Sequence, residues 1–66
     1  MLGLSIWRYV LRERARYAAV LMLDPHLTLA MIAQLSGFDS YAGFIASIRR
    51  EYGMPPAVLR AEISAH

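Results

Sequence analysis

The side chains best suited to bind a ligand are hydrogen-bond donors in the segment 40–52. This segment carries Ser40, Ser47, Arg49 and Arg50. Arginine presents its N–H groups in a planar fork that fits the oxygens of a phosphate or a carboxylate. The residues therefore predict anion binding.

Catalysis has little support in the sequence. The five carboxylates are dispersed, and no spacing brings two of them together. His26 follows Pro25 in a loop and His66 is the last residue, and neither has companions at metal-ligand spacing. The chain also has no cysteine and no glycine-rich phosphate loop. We expect no enzyme, no metal and no cofactor.

Glycines and prolines mark the ends of the predicted helices on both sides of these donors. An apolar run ends at Gly37, and Gly53 is followed after one residue by Pro55-Pro56. Glycine supplies the positive φ that a tight turn requires, and proline is tolerated in the first turn of a helix. This arrangement is the skeleton of a helix-turn-helix, a motif that points to nucleic acid.

Four helices account for nearly the whole chain, which predicts a single all-α domain over residues 1–66. Ser5 is a candidate N-cap for the first helix, which should stop before Pro25. The predicted ranges are 5–23 for a long N-terminal helix, 28–52 for the helix-turn-helix (helices 29–35 and 40–52), and 55–64 for a closing helix.

The N-terminal helix has an apolar arc that covers about half of its circumference, wider than the ~100° stripe of a helix packed on one core. Arg14 alone interrupts this arc, so we expect its charge to find a partner or a helix C-terminus. The arc comprises Ile6, Trp7, Val10, Leu11, Ala15, Tyr17, Ala18, Leu21 and Met22. Arg8, Arg12 and Arg16 form a column on the opposite side.

The composition suggests that another chain covers part of this arc. Of the 66 residues, 58% are hydrophobic and only 18% are charged, and a domain of this size buries a limited share of its surface. We therefore predict a symmetric homodimer in which the long helix pairs with its twin. The predicted interface residues are Ile6, Trp7, Val10, Leu11, Arg14, Ala18 and Met22.

Charge and hydropathy argue against strong DNA binding by the chain alone and against a membrane-spanning segment. Residues 1–23 carry four arginines against one glutamate, whereas residues 24–66 carry three arginines against four carboxylates. The near-neutral second part argues against strong autonomous DNA binding. The longest apolar stretch, 17–23, is far short of the ~20 residues that a membrane-spanning helix needs. With no signal-peptide pattern, we expect a cytoplasmic protein.

Taken together, these residues resemble the C-terminal part of the DNA-binding domain of AraC/XylS-type transcription regulators. The resemblance covers nearly the whole chain. Gly3, Ser5 and Tyr9 are similar to the end of the first helix-turn-helix of that domain, and Arg14, Ala18, Leu21 and Met22 to its linker helix. Leu29, Ile32, Ala33, Gly37, Phe38, Phe44, Arg49, Gly53, Pro56 and Arg60 are similar to the second helix-turn-helix and its closing helix.

The resemblance implies a fold and a function. The family domain holds two helix-turn-helix units joined by the linker helix, and this chain resembles only the second. Its helix 40–52 would be the recognition helix, lying in the major groove of double-stranded DNA. The candidate DNA-binding residues are Ser40, Tyr41, Ala42, Ile45, Ala46, Ser47, Arg49 and Arg50.

Two departures from the family leave a second hypothesis open. Ala46 stands where the family commonly has arginine, and Met31 where it usually has glutamate. Alanine offers no donor to a base edge or a phosphate, so only an apolar contact with a thymine methyl is possible there. The alternative is a truncated homodimeric module that keeps the fold but binds a protein or an apolar ligand instead of DNA.

Overall fold

The computed structural model describes the backbone of residues 2–65 and the side chains of residues 6–65. Within this range the chain is all-helical, which confirms the predicted helix-turn-helix class with a long N-terminal helix. His66 lies outside the described residues. The helices are α1 (Leu2–Leu21), α2 (Leu29–Leu35), α3 (Tyr41–Tyr52) and α4 (Pro56–Ser64).

Helix α1 begins and ends earlier than the sequence predicted. Ser5 lies inside the helix, so its assignment as the N-cap is wrong. At the other end, the backbone N–H groups of Leu23 and Asp24 donate to carbonyls three residues back, at 3.1 and 3.0 Å. Such tighter bonds close a last turn of 3₁₀ type and release the chain before Pro25.

Two hydroxyl side chains set the start of α2 and α3. Thr28 Oγ1 accepts a hydrogen bond from the backbone N–H of Met31 at 3.1 Å. Ser40 Oγ accepts one from the N–H of Gly43 at 3.0 Å. Each bond satisfies a donor that the first turn of a helix leaves unpaired, and each stabilises its helix by about 1 kcal/mol.

The turn between α2 and α3 is a Schellman motif centred on Gly37. Gly37 has φ of 88°, in the left-handed region. The N–H of Phe38 donates to the carbonyl of Ala33 and the N–H of Gly37 to that of Gln34, both at 3.1 Å. This pair of bonds is the pattern that ends a helix at a glycine and redirects the chain.

The core forms where α1 crosses the helix-turn-helix. Phe44 is fully buried, and the ring of Phe38 meets it edge-on with centroids 5.6 Å apart. Such aromatic pairs contribute about 0.5–1.5 kcal/mol beyond the area they bury. The buried apolar residues are Ala15, Ala18, Met22, Ile32, Ala33, Phe44, Ile48 and Leu59.

Two residues predicted at the dimer interface belong to this core instead. Ala18 and Met22 are 0% and 1% exposed within one protomer. Their assignment to a surface between chains is therefore wrong. The C-terminal part of α1 packs on α2 and α3, and it uses one half of the apolar arc to do so.

Arg14 of α1 contacts the turn between α2 and α3. Its guanidinium carbon lies 5.5 Å from the centroid of the Trp7 ring, a cation–π distance. Its side chain also packs over Gly37, where an added Cβ would lie 3.3 Å from Arg14 Nε. The cation thus lies beside the C-terminal end of α2, as the sequence predicted, where the helix dipole is negative.

A long-range hydrogen bond holds the closing helix in place. The guanidinium of Arg60 on α4 donates to the backbone carbonyl of Asp24 at 2.7 Å. The carboxylate of Asp24 in turn accepts from the backbone N–H of His26 at 2.9 Å. The loop after α1 is therefore tied both to itself and to α4.

A matched pair of glycine substitutions should isolate the contact with Arg14. Gly37→Ala and Gly53→Ala both place a Cβ at positive φ, which costs about 1 kcal/mol of unfolding free energy. An added Cβ at Gly53 meets nothing within 4 Å, whereas at Gly37 it presses on Arg14. We expect Gly37→Ala to lose about 1 kcal/mol more, because the cation–π pair is disturbed. Urea denaturation measures both; equal losses would contradict the packing described.

Candidate nucleic-acid interface

One face of α3 is directed to solvent. Ala42, Ala46, Arg49 and Arg50 are exposed, while Phe44 and Ile48 on the other side of the helix are buried. The four exposed residues, which we call the α3 outer face, recur at the three- and four-residue spacing of one helix surface. The small alanines leave the backbone of the helix accessible, and the two arginines follow in its last turns.

Two predicted contact residues do not lie on this face. Ser47 is only 7% exposed and lies beside Trp7 and Leu11 of α1, so its prediction as a DNA contact is wrong. It comes three residues after Phe44 and directly before Ile48, and it shares their inward direction. Ile45 is half-buried and packs against the core, which leaves only its edge to a ligand.

The N-terminal end of α3 presents a hydroxyl and an aromatic ring. Ser40 is exposed, although its Oγ is engaged in capping the helix. Tyr41 is 44% exposed, and its ring centroid lies 5.5 Å from that of Phe44. This contact with a buried ring holds the tyrosine at the entrance to α3.

A cleft separates α2 from the start of α3 and contains a polar residue that the sequence analysis missed. Gln34 is exposed and borders this cleft of about 330 Å³. Its amide can both donate and accept, as an adenine edge requires, and its N–H groups can donate to a phosphate oxygen. The sequence feature that could have identified Gln34 is its position as a polar residue in the last turn of α2, three residues before Gly37. The cleft is lined by Ala30, Met31, Ala33, Gln34, Phe38, Asp39, Ser40 and Tyr41.

The electrostatics of α3 are simple. Among the described side chains, neither Arg49 nor Arg50 forms an ion pair; the pairs present join Arg16 to Glu13 and His26 to Asp24. Both α3 cations are therefore available to an external anion. Glu51 follows the two arginines in the last turn of α3 and offsets one of their two charges, whereas Asp39 lies just before the opposite end of the helix.

The described part of the chain offers neither a metal site nor a membrane-spanning helix. No group of three or more histidine, cysteine or carboxylate side chains there could hold a metal ion. No described helix is long and apolar enough to cross a membrane.

The positions predicted for a dimer contact are divided by the fold. Ile6 and Trp7 are 62% and 51% exposed on the part of α1 that extends beyond the core. Val10, Leu11 and Arg14 are half-buried. With Ala18 and Met22 inside the core, the predicted interface residues do not form one surface.

Comparison with known proteins agrees with this arrangement. Residues 1–62 match a family described as a helix-turn-helix domain. Over 55 residues the chain is 40% identical to a protein of Photobacterium leiognathi named "Probable transcriptional regulator LumQ", an alignment that covers 83% of this chain and 22% of that protein. The chain thus spans about a fifth of the length of the curated relative it matches. No solved structure matches it. Since the family match covers almost every residue, the chain belongs to the AraC-type helix-turn-helix domains.

Proposed function

We propose that this chain is a DNA-binding module of an AraC/XylS-type transcription regulator and that α3 enters the major groove of double-stranded DNA. Membership in the helix-turn-helix family and similarity to a protein named as a probable transcriptional regulator support a regulatory DNA-binding module. The observation that carries the proposal is the α3 outer face, with two arginines that form no ion pair among the described side chains, on a helix of width suited to the groove. Its site of action would be the cytoplasm.

Within this proposal, phosphate and base contacts come from different residues. Arg49 and Arg50 bind backbone phosphates, because their guanidinium groups are exposed and unpaired among the described side chains. Ala42 and Ala46 provide apolar contact to thymine methyl groups. Gln34 and Tyr41 extend the contact from the neighbouring cleft.

The affinity of one module should be modest. Two phosphate contacts give a shallow dependence on salt, because each neutralised phosphate contributes a slope of about −0.9 in log K against log salt. Ala46 leaves the position that the family commonly fills with arginine without a donor. The module alone is therefore expected to bind DNA detectably at low ionic strength and weakly at physiological ionic strength.

The second candidate function, binding of an apolar partner, rests on the cleft beside α2. Met31 and Tyr41 are 43% and 44% exposed there, and Phe38 lies between them. A protein or ligand that uses this cleft would be displaced by Met31→Glu. DNA binding by the α3 outer face should tolerate the same change, because the family that this chain resembles usually has glutamate at this position. The arginine variants below separate the two functions.

Removal of either α3 arginine should weaken DNA binding. Arg49→Ala and Arg50→Ala each lose a charge-assisted hydrogen bond worth about 1.5–3 kcal/mol, a decrease of roughly 10- to 100-fold in affinity. The salt slope should fall by about one unit. Arg16→Ala is the matched control, since it removes the same charge from α1. Fluorescence anisotropy with labelled duplex DNA measures all three. Equal affinities for the four proteins would overturn the proposed phosphate contacts.

A gain of function should follow from restoring the side chain that Ala46 lacks. Ala46→Arg adds a donor at the centre of the α3 outer face, and we expect about a tenfold rise in DNA affinity with a steeper salt slope. Ala57→Arg on α4 is the control, because Ala57 is also exposed but lies on another helix. An equal gain in both variants would mean nonspecific attraction. No DNA binding by either protein at low salt would favour the apolar-partner function.

A further inference from the structure

A second apolar stripe runs along α1 on the side away from the core. It consists of Ile6, Val10, Glu13, Tyr17 and Val20, spaced alternately by four and three residues, and we call it the α1 outer stripe. Ile6, Tyr17 and Val20 are 62%, 52% and 61% exposed. Val10 and Glu13 are half-buried. The described protomer leaves most of this stripe uncovered.

The spacing of the stripe is that of a helix–helix seam. Alternation of four and three residues is the heptad pattern that keeps one apolar line facing a partner helix. The core-facing residues Ala15, Ala18 and Met22 occupy another side of α1, so the stripe is not part of the protomer's core. The remaining arc is thus organised as a contact for a second helix.

We propose that the α1 outer stripe is the dimer interface of this protein and that its occupant is α1 of a second copy, packed antiparallel. In the heptad register, Ile6 of one protomer faces Tyr17 of its partner, and Val10 faces Glu13 of its partner. The proposal goes beyond DNA binding and does not depend on it. It replaces the interface predicted from the sequence, two members of which are buried.

The charge on the stripe favours the antiparallel orientation. A parallel pair would align Glu13 with its own copy across the seam, and like charges at a contact are destabilising. An antiparallel pair places an apolar valine opposite each glutamate. Glu13 already has a local counter-charge, since its carboxylate lies 3.4 Å from the Arg16 guanidinium. A polar residue at one seam position also fixes the register.

The remaining arginines of α1 do not obstruct the seam. Arg8 and Arg12 lie on a different side of the helix, where they border a depression with Glu51. Arg14 is turned toward Trp7 and Gly37. The stripe therefore carries Glu13 as its one charged residue, and two copies can approach without opposing their cationic sides.

The shape of the protomer is also compatible with this packing. The C-terminal half of α1 carries the core and its N-terminal half extends beyond it, in a protomer that measures 39 × 20 × 17 Å overall. Antiparallel pairing sets the two bodies at opposite ends of the seam. A parallel pair would bring both bodies to the same end.

The size of the stripe predicts a weak dimer. A 20-residue helix is about 30 Å long and about 10–12 Å wide, so one of its sides offers only a few hundred Å² to a partner. Two such sides give a small interface compared with the standard size of about 1,600 Å² in total. We therefore expect dissociation in the micromolar range, so that the oligomeric state changes with protein concentration.

A matched pair of valine substitutions tests the interface. Val20→Glu places a charge on the stripe, whereas Val58→Glu makes the same change at an exposed position of α4. In sedimentation equilibrium from about 5 to 500 μM, a span around the expected affinity, the natural chain and Val58→Glu should shift from monomer to dimer. Val20→Glu should remain a 7.4 kDa monomer. A monomeric natural chain at every concentration, or equal behaviour of the two variants, would overturn the proposal.

Cross-linking tests the orientation. The chain has no cysteine, so single substitutions give unique labels. Ile6→Cys and Tyr17→Cys proteins are mixed and treated with a short bismaleimide. The antiparallel register predicts mainly the mixed product, because like positions are separated by about 16 Å along the helix axis. Like-with-like products in excess would refute the antiparallel seam.

Circular dichroism and DNA titration distinguish a loss of the dimer from a loss of folding or of DNA binding. Val20→Glu should retain the helical spectrum, because Val20 is 61% exposed and does not belong to the core. Its affinity for a DNA fragment that holds one site should match that of the natural chain. If Val20→Glu loses the dimer but still binds DNA, the result supports the proposed interface and leaves the proposed function untouched. If the arginine variants lose DNA binding but still form the dimer, the result bears on the proposed function and leaves the interface untouched.

Discussion

The left-handed turn at Gly37 is the constraint on which the rest of the structure depends. It ends α2 with two backbone hydrogen bonds and delivers Phe38 to the edge of Phe44, the central buried ring of α3. Because a side chain at positive φ is strained, glycine is the residue that permits this geometry. The same turn receives Arg14 of α1, so one residue without a Cβ sets the positions of three helices.

Helix α1 packs against the core on one side and faces solvent on the other. Its inner side completes a core that α2 and α3 are too short to close alone, with Ala15 and Ala18 small enough to allow close approach. Its outer side keeps Ile6, Tyr17 and Val20 in contact with solvent. The high apolar content of the chain is thus divided between a small core and one uncovered stripe, because a 20-residue helix crossing a small body can bury only one side.

The two proposed contacts reinforce each other physically. A single α3 outer face offers two cations, Arg49 and Arg50, and an alanine where a donor would strengthen binding. Two such faces joined by an α1 seam would bind a pair of sites as one event, since the second contact is made at a high effective concentration. A module of limited affinity could then act selectively on paired sites, and its occupancy would depend on protein concentration as well as on salt.

Local rules let the sequence alone predict the four helices and the turn that joins α2 to α3. Gly37 acts through backbone hydrogen bonds to residues close to it in the chain, so its role follows from spacing. Only the tertiary structure decided which parts of an apolar arc are inside. Periodicity gives the direction of a side chain relative to its own helix, but not which helix lies there. That is why Met22 and Ser47 proved buried and why the uncovered stripe emerged only after α1 had been packed.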